Sequence, residues 1–266
     1  MAFLGKEVRL NRLLNRKSGH LLAIALDHAI AWGLMEGIEK IQETLDTVVA
    51  SEPDAITIQK GIAEKCMRKW AGRQPFILKC SSFSPFYPSY DGYTAAVEEA
   101  VRLGADAVAL GVTIGGREQP ELLKNLAIFT EKASSYGLPV VTHIYPKGDL
   151  IPSDERYTYK HVAYAARAAA ELGVDIVKTY YTGDPNSYRM VIEACPAYVV
   201  VSGGPKLDDL TDVFRMTRDA MDSGAAGITY GRNVWQRSDA GVVIKALKAI
   251  IHDARSVEDA LKLIGD

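Results

Sequence analysis

The chain is short of cysteine, of net charge and of long apolar runs, and each shortage excludes something. Three cysteines in 266 residues, Cys66, Cys80 and Cys195, are too few and too scattered for a disulfide framework or a zinc cluster. Thirty-one Lys and Arg stand against 33 Asp and Glu, a formal charge of -2, so the overall field favours neither nucleic acid nor an anionic membrane as partner. No apolar stretch approaches the roughly 18 residues of a membrane span. Residues 1–17 mix charges with single leucines, where a secretory signal would have a continuous apolar centre. The expected location is therefore cytoplasmic. What is present is an ordinary globular composition, 48% hydrophobic and 24% charged, of a length that suits one large core.

Two kinds of segment alternate. Eight short β-rich runs, Leu21–Ala29, Asp54–Gly61, Pro75–Ser81, Ala105–Val112, Pro139–Pro146, Asp175–Tyr181, Ala197–Gly204 and Ala225–Asn233, are apolar on both parities until their last residues. That is how a parallel strand covered on both faces reads. Between them lie helical patterns such as Gly37–Ala50 and His161–Gly173; in the latter Val162, Ala165, Ala166 and Ala169 share one face. A weak repeat, VRLGADAV, AELGVDIV and MDSGAAGI, ends a helix on Gly and resumes as a strand two residues later. Eight strands, seven crossovers and a closing helix near Ala240–His252 predict a single (β/α)8 TIM barrel over residues 21–266, with residues 1–20 as an N-terminal arm. That arm would close the barrel floor as a short helix or touch a neighbouring subunit. A doubly wound open sheet fits less well, because the first strand leads into ALDHAIAWG and not into a Gly-rich turn.

In such a barrel the chemistry belongs at the carboxyl ends of the strands. There the sequence places Asp27 and His28, Lys60, Lys79 and Ser81, Tyr145 and Lys147, Lys178 and Tyr180, Ser202 to Lys206, and Gly231 to Asn233. Lys178 is the sharpest signal. Set in DIVKTYY, its ammonium would be desolvated and close to other cations, which lowers its pKa and makes the amine a nucleophile for a carbonyl. The plainer alternative is an ion pair with Asp27 or Glu64. SGGPK (Ser202–Lys206) and GRN (Gly231–Asn233) read as two anion-binding turns on adjacent strands, with Arg232 as a fork and Lys206 as a point charge. His28 and His143 lack a third ligand at sensible spacing, so no metal is expected. The aromatic stretch Ser82–Tyr93 reads as a loop over the barrel mouth, and Trp32 and Trp70 as packing residues.

ALDHA, QKGIAEK, YPKGD, DIVKTYYTGD, VSGGPK and GAAGITYGRNVWQ occur in this order. With them the chain resembles, over nearly its whole length, the archaeal-type class I fructose-bisphosphate aldolases. That family includes the 2-amino-3,7-dideoxy-heptulosonate synthases and a thiolase acting on an autoinducer-2 breakdown product. The resemblance implies Lys178 as the Schiff-base lysine, Tyr145 as the proton-shuttling tyrosine and Asp27 as the strand-one carboxylate. It implies substrate binding by His28, Lys147, Ser202, Gly203, Gly204, Gly231 and Arg232. No cofactor or metal is implied; the partner is a small sugar or sugar phosphate, and relatives assemble as homo-oligomeric rings. The implied reaction is reversible cleavage of a ketose phosphate, fructose 1,6-bisphosphate or a C6-modified analogue, into a dihydroxyacetone (phosphate) unit and an aldehyde.

Three positions depart from the family pattern. Ala29 follows Asp-His where Gly is usual, Lys147 stands for the arginine of YPRG, and His143 stands where the fructose-bisphosphate branch carries Trp. The last two lie where the far end of the substrate would sit. A transferase that adds a carbon fragment to an aspartate-semialdehyde-like acceptor is therefore the alternative. Retention of Tyr145 argues against the thiolase, and retention of Lys178, Tyr145 and Asp27 together argues against a non-catalytic sugar-phosphate sensor.

Overall fold

Eight parallel strands close on themselves in the computed structural model, which describes residues 4–265. In chain order the strands are β1 (Leu21–Ala25), β2 (Ala55–Gln59), β3 (Phe76–Lys79), β4 (Ser81–Ser84), β5 (Tyr87–Tyr93), β6 (Ala107–Thr113), β7 (Val140–Tyr145), β8 (Ile176–Thr179), β9 (Tyr198–Ser202) and β10 (Gly227–Tyr230). The barrel runs β1-β10-β9-β8-β7-β6-β3-β2, and β4 and β5 form a separate antiparallel hairpin. The architecture is the (β/α)8 TIM barrel, and all eight predicted strands are found. Ser82–Tyr93 is not an irregular loop: it carries the hairpin, with Ser81 paired to Tyr93 and Ser82 to Gly92.

Strand parity divides the core in two. Leu22, Ile24, Ile56, Ile58, Val108, Leu110, Val177, Val199 and Val201 pack outward against the helices. Leu21, Ala23, Ala55, Ile77, Ala107, Ala109, Val141, Ile176 and Val200 form a second cluster inside the barrel. Continuing the inward parity along each strand leads from these apolar floors to Lys79, Gly111, His143, Tyr145, Lys178 and Ser202. One alternation therefore builds both the packed base and the polar mouth.

The predicted repeat has a structural cause on both sides of its glycine. Gly104, Gly173 and Gly224 take φ of 76°, 84° and 96°, left-handed values that an L side chain resists. The aspartates that follow in two copies accept backbone N–H groups from the neighbouring strand: Phe76 N to Asp106 Oδ2 at 3.2 Å and Val140 N to Asp175 Oδ2 at 2.8 Å. Asp54, just before β2, does the same for Leu22 N at 2.7 Å. These bonds satisfy donors at the strand starts and help set register.

The arm folds as a helix, Leu4–Leu13, across the floor. Leu13 is fully buried in the inner cluster, while Lys6 reaches Asp175 at 3.0 Å, Arg12 reaches Asp106 at 3.5 Å and Arg9 donates to Gly137 O at 2.9 Å. The basic face of the arm thus meets the same aspartates that tie the strands. The chain ends in a helix at Ala240–Asp253 and a further one, Val257–Gly265, that the sequence reading did not separate. Ala254 between them has φ 54°, which breaks the helical run.

Candidate active site

A cavity of about 310 Å³ opens at the carboxyl ends of the strands, and Asp27, His28, Lys79, His143, Tyr145, Lys147, Lys178, Ser202, Gly204 and Arg232 all line it. Four cationic side chains there face two carboxylates, Asp27 and Asp91, so the cavity favours an anionic ligand. Among the described residues no helix is long and apolar enough to cross a membrane, and no group of three His, Cys, Asp or Glu could hold a metal.

Lys178 reaches the cavity from the end of β8 and is only 5% exposed. Burial is the main force that lowers its pKa to about 8; Asp27 opposes the shift, and Lys79 and Arg232 add to it. At pH 7 roughly a tenth of such an amine is neutral, against about one part in several thousand for an ordinary lysine. Lys178 forms no ion pair among the described residues. The proposed structural pairings fail for definite reasons: Asp27 lies beside the two imidazoles, and Glu64 lines a groove at the opposite, floor end of the barrel.

Asp27 Oδ1 is 3.6 Å from His28 Nδ1, and its Oδ2 is 3.8 Å from His143 Nδ1. Burial keeps both rings neutral: His28 falls to about 4, and His143 falls far below its ordinary value, with Lys178, Lys79 and His28 adding to the effect. Tyr145 donates its hydroxyl to Ser202 Oγ at 3.2 Å and stacks on Tyr180 with centroids 4.7 Å apart; Tyr180 in turn stacks on Tyr157. Burial raises the Tyr145 pKa strongly, so the phenol holds its proton.

The loop after β9 and the short helix Arg232–Trp235 form one wall, and Asn233 joins them. Fully buried, it donates to Gly203 O at 2.6 Å and Pro205 O at 3.1 Å and accepts from Leu207 N at 2.8 Å. Arg232 sits 5.3 Å from the Trp32 ring centroid, forms no ion pair among the described residues, and keeps its buried Nε without a partner. Gly203 and Gly231 stand behind this wall. A Cβ at Gly203 would come 2.8 Å from the Tyr230 ring, and one at Gly231 would come 2.5 Å from His28. Close packing is their evident demand. Lys206 is exposed and outside the cavity, so only Arg232 of the two expected cations faces it.

On the opposite wall the hairpin inserts Asp91 over Gly111, whose Cα hydrogen leaves the only room: a Cβ there would lie 1.9 Å from Asp91 Oδ1. Lys79 lies 3.7 Å from Asp91 and donates to Ser81 Oγ at 2.9 Å, and Ser81 Oγ also takes the Gly111 N–H at 2.7 Å. Lys147 lies 3.6 Å over the Phe83 ring, and burial lowers its pKa to about 8 against the pull of Asp91. Lys60, by contrast, leaves the mouth and pairs with Glu99 at 2.8 Å.

A buried amine of lowered pKa, a phenol and an unpaired guanidinium around one cavity make a site for imine chemistry on an anionic carbonyl compound. The family model of the DeoC/LacD family aldolases matches residues 21–237. The chain belongs to that family. It is 34% identical over 98% of its length to the 2-amino-3,7-dideoxy-D-threo-hept-6-ulosonate synthase of Halobacterium salinarum, 97% of which is covered. It is 30% identical over 94% to the 2-amino-4,5-dihydroxy-6-oxo-7-(phosphonooxy)heptanoate synthase of Streptomyces griseus, 91% covered. Among solved structures, an archaeal fructose-1,6-bisphosphate aldolase with its catalytic Lys bound to the carbinolamine intermediate aligns at a TM-score of 0.83. Its identity to this chain is 32%, with 93% of this chain and 99% of that one covered. This DeoC/LacD aldolase is thus an enzyme, a lyase of the class I type.

Sequence reasoning missed several walls of the aldolase cavity. Trp32, read as packing, is half exposed and lies edge-on to Phe83 at 5.1 Å, at the mouth. Trp70 does pack, with Nε1 donating to Asp46 at 2.5 Å. Phe83 and Asp91 lie in the segment expected over the mouth but were not singled out, and with Tyr157 they come from outside the barrel strands, where no periodicity points inward. His143, expected beside the far end of the substrate, does line the cavity, and it shares the inward parity of Tyr145 on one strand.

Proposed function

We propose that this aldolase makes and breaks a carbon–carbon bond beside a ketone that it holds as an imine on Lys178. The observation that carries the reading is the desolvated Lys178 amine, which has no ion-pair partner among the described residues and lines one cavity with the hydrogen-bonded pair Tyr145–Ser202 and with Arg232. Neutral Nζ attacks the ketone carbon. Tyr145, whose proton is held firmly, gives it to the carbinolamine hydroxyl as water leaves, and Asp27 faces the cation that results. The iminium then draws the electrons of the breaking C–C bond, an aldehyde departs, and hydrolysis of the remaining enamine frees the lysine. A phosphate beside the ketone is assigned to Ser202, the loop backbone at Gly204 and the Arg232 fork. Gly203 and Gly231 shape that cradle, and His28 supports it from behind Gly231.

The donor we favour is dihydroxyacetone phosphate, with the ketose a 1-phosphate such as fructose 1,6-bisphosphate or a C6-modified analogue. A second reading concerns the far end. Lys147 there is joined by the carboxylate of Asp91, which suits a terminus bearing both an ammonium and a carboxylate better than a second phosphate. Two relatives make 2-amino acids, as their names state. An amino-acid aldehyde as acceptor is accordingly the alternative.

The deciding experiment is borohydride reduction in the presence of dihydroxyacetone phosphate, followed by peptide mass mapping, with free dihydroxyacetone in parallel. An adduct on the peptide holding Lys178 is expected with the phosphate ester. Adduct with the free ketone alone would remove the phosphate assignment, and no adduct with either would remove the imine.

A further inference from the structure

We propose that His143, oriented by Asp27, is the base that removes the proton from the substrate's aldehyde-forming hydroxyl; this rests on the Schiff-base reading above. His143 and Tyr145 are two residues apart on β7 and so face the barrel interior together, with His143 one layer deeper. Across the β7–β8 ladder His143 is the register partner of Lys178, which puts imidazole and amine side by side in the cavity wall. The residue is 8% exposed, and its Nε2 is buried with no hydrogen-bond partner among the described residues. An orphaned buried ring nitrogen calls for a partner that arrives from outside, and a substrate hydroxyl is the right chemistry.

The other ring nitrogen explains which atom is free. Nδ1 faces Asp27 Oδ2 at 3.8 Å, beyond direct hydrogen-bond length, and the field of a carboxylate on that side favours the tautomer with the proton on Nδ1 and the lone pair on Nε2. Burial and the cations of Lys178 and Lys79 keep the ring neutral, so the lone pair is available. Tyr145 is placed for the opposite duty. Its hydroxyl is engaged with Ser202 and holds its proton, which suits a donor to the carbinolamine and not an acceptor.

The step balances within the site. Nε2 takes the proton of the hydroxyl two carbons from the iminium carbon. The freed O–H electron pair becomes the second bond of the aldehyde carbonyl as the C–C bond breaks. The pair from that bond forms the carbon–carbon double bond of the enamine, and the iminium π pair returns to Nζ. One positive charge leaves Nζ and one appears on the imidazole beside Asp27, so the buried site keeps its net charge. In the bond-forming direction the imidazolium returns its proton to the aldehyde oxygen.

The test separates the imine half of the reaction from bond cleavage. Wild-type protein, His143→Gln and His143→Asn are compared in three assays: borohydride trapping with dihydroxyacetone phosphate, exchange of deuterium from solvent into the hydroxymethyl carbon of that compound, and single-turnover cleavage of fructose 1-phosphate. Trapping and exchange need imine and enamine but no aldehyde hydroxyl. The variants should trap and exchange within about threefold of wild type while cleaving at least about 100-fold more slowly, the range for loss of a general base. Cleavage within tenfold of wild type in either variant would overturn the assignment. Equal losses in exchange and cleavage would also overturn it, by making His143 a support of the lysine. If wild-type protein itself traps nothing, the Schiff-base reading fails, and that outcome is distinct from both.

Discussion

Replacing Lys178 with Met should abolish imine chemistry and make the protein more stable. The folded state holds this amine at a pKa of about 8, against 10.5 for an ordinary lysine, chiefly because burial disfavours the ammonium. A difference of about 2.5 units corresponds to roughly 3 kcal/mol against the folded state wherever the unfolded lysine is charged. Met has similar length and no charge to desolvate, so Lys178→Met should recover most of that, less whatever Asp27 loses with its nearby cation. For a chain of this size about 2–3 kcal/mol corresponds to a rise in Tm of roughly 4–6 °C. The sign with pH follows from the direction of the shift. The folded pKa lies below the unfolded one, so the wild-type penalty is full below about pH 8 and fades as pH rises toward the unfolded value. Calorimetry of both proteins at pH 7 and pH 10 should therefore show a Tm gap that is large at the lower pH and small at the higher one. A variant no more stable than wild type at pH 7, or a gap that does not change with pH, would refute the placement of Lys178 as a desolvated amine.

Three further outcomes follow from the same geometry. The rate of imine formation should rise with pH and level off above about pH 8 as the Lys178 ammonium loses its proton, measured by trapping at short times. Arg232→Ala should raise KM for a phosphorylated ketose about 10- to 100-fold and leave an unphosphorylated one within a few-fold; equal effects would break the phosphate assignment. Gly111→Ala should push the Asp91 carboxylate off its seat, since the new methyl would stand 1.9 Å from Oδ1. Loss of more than about 2 kcal/mol, or a large rise in KM for the aldehyde half with the imine still trapped, is expected; an unchanged protein would mean the hairpin does not press on β6.

The barrel and the buried strand-end lysine Lys178 were both legible in the chain, for a physical reason. Parallel strands buried on both faces have to be apolar until their last residues, so Lys178, Tyr145 and Ser202 stand out as polar residues ending apolar runs. A left-handed Gly followed by a strand-tying Asp recurs because each βα unit meets the same local demand. Such local rules also marked SGGPK and GRN as tight turns near an anion. They could not tell a ligand-facing glycine from a packed one, because Gly203 and Gly231 are explained by Tyr230 and His28.

Tertiary structure alone decided which charges meet. Lys79 and Lys60 read alike as strand-end lysines, yet one is buried 3.7 Å from Asp91 and the other pairs with Glu99 outside the mouth. Asp91 enters the cavity because a hairpin folds over Gly111, 20 residues further along the chain, and nothing local to Asp91 records that distance. Asp27 reaches two imidazoles, one its neighbour in sequence and one on the far side of the barrel, only because eight strands close into a ring. The sequence by itself settled what lies along each strand, since backbone geometry repeats every two residues. Closure of the barrel settled what lies across from what, since those distances are set by the register of strands that the chain visits far apart.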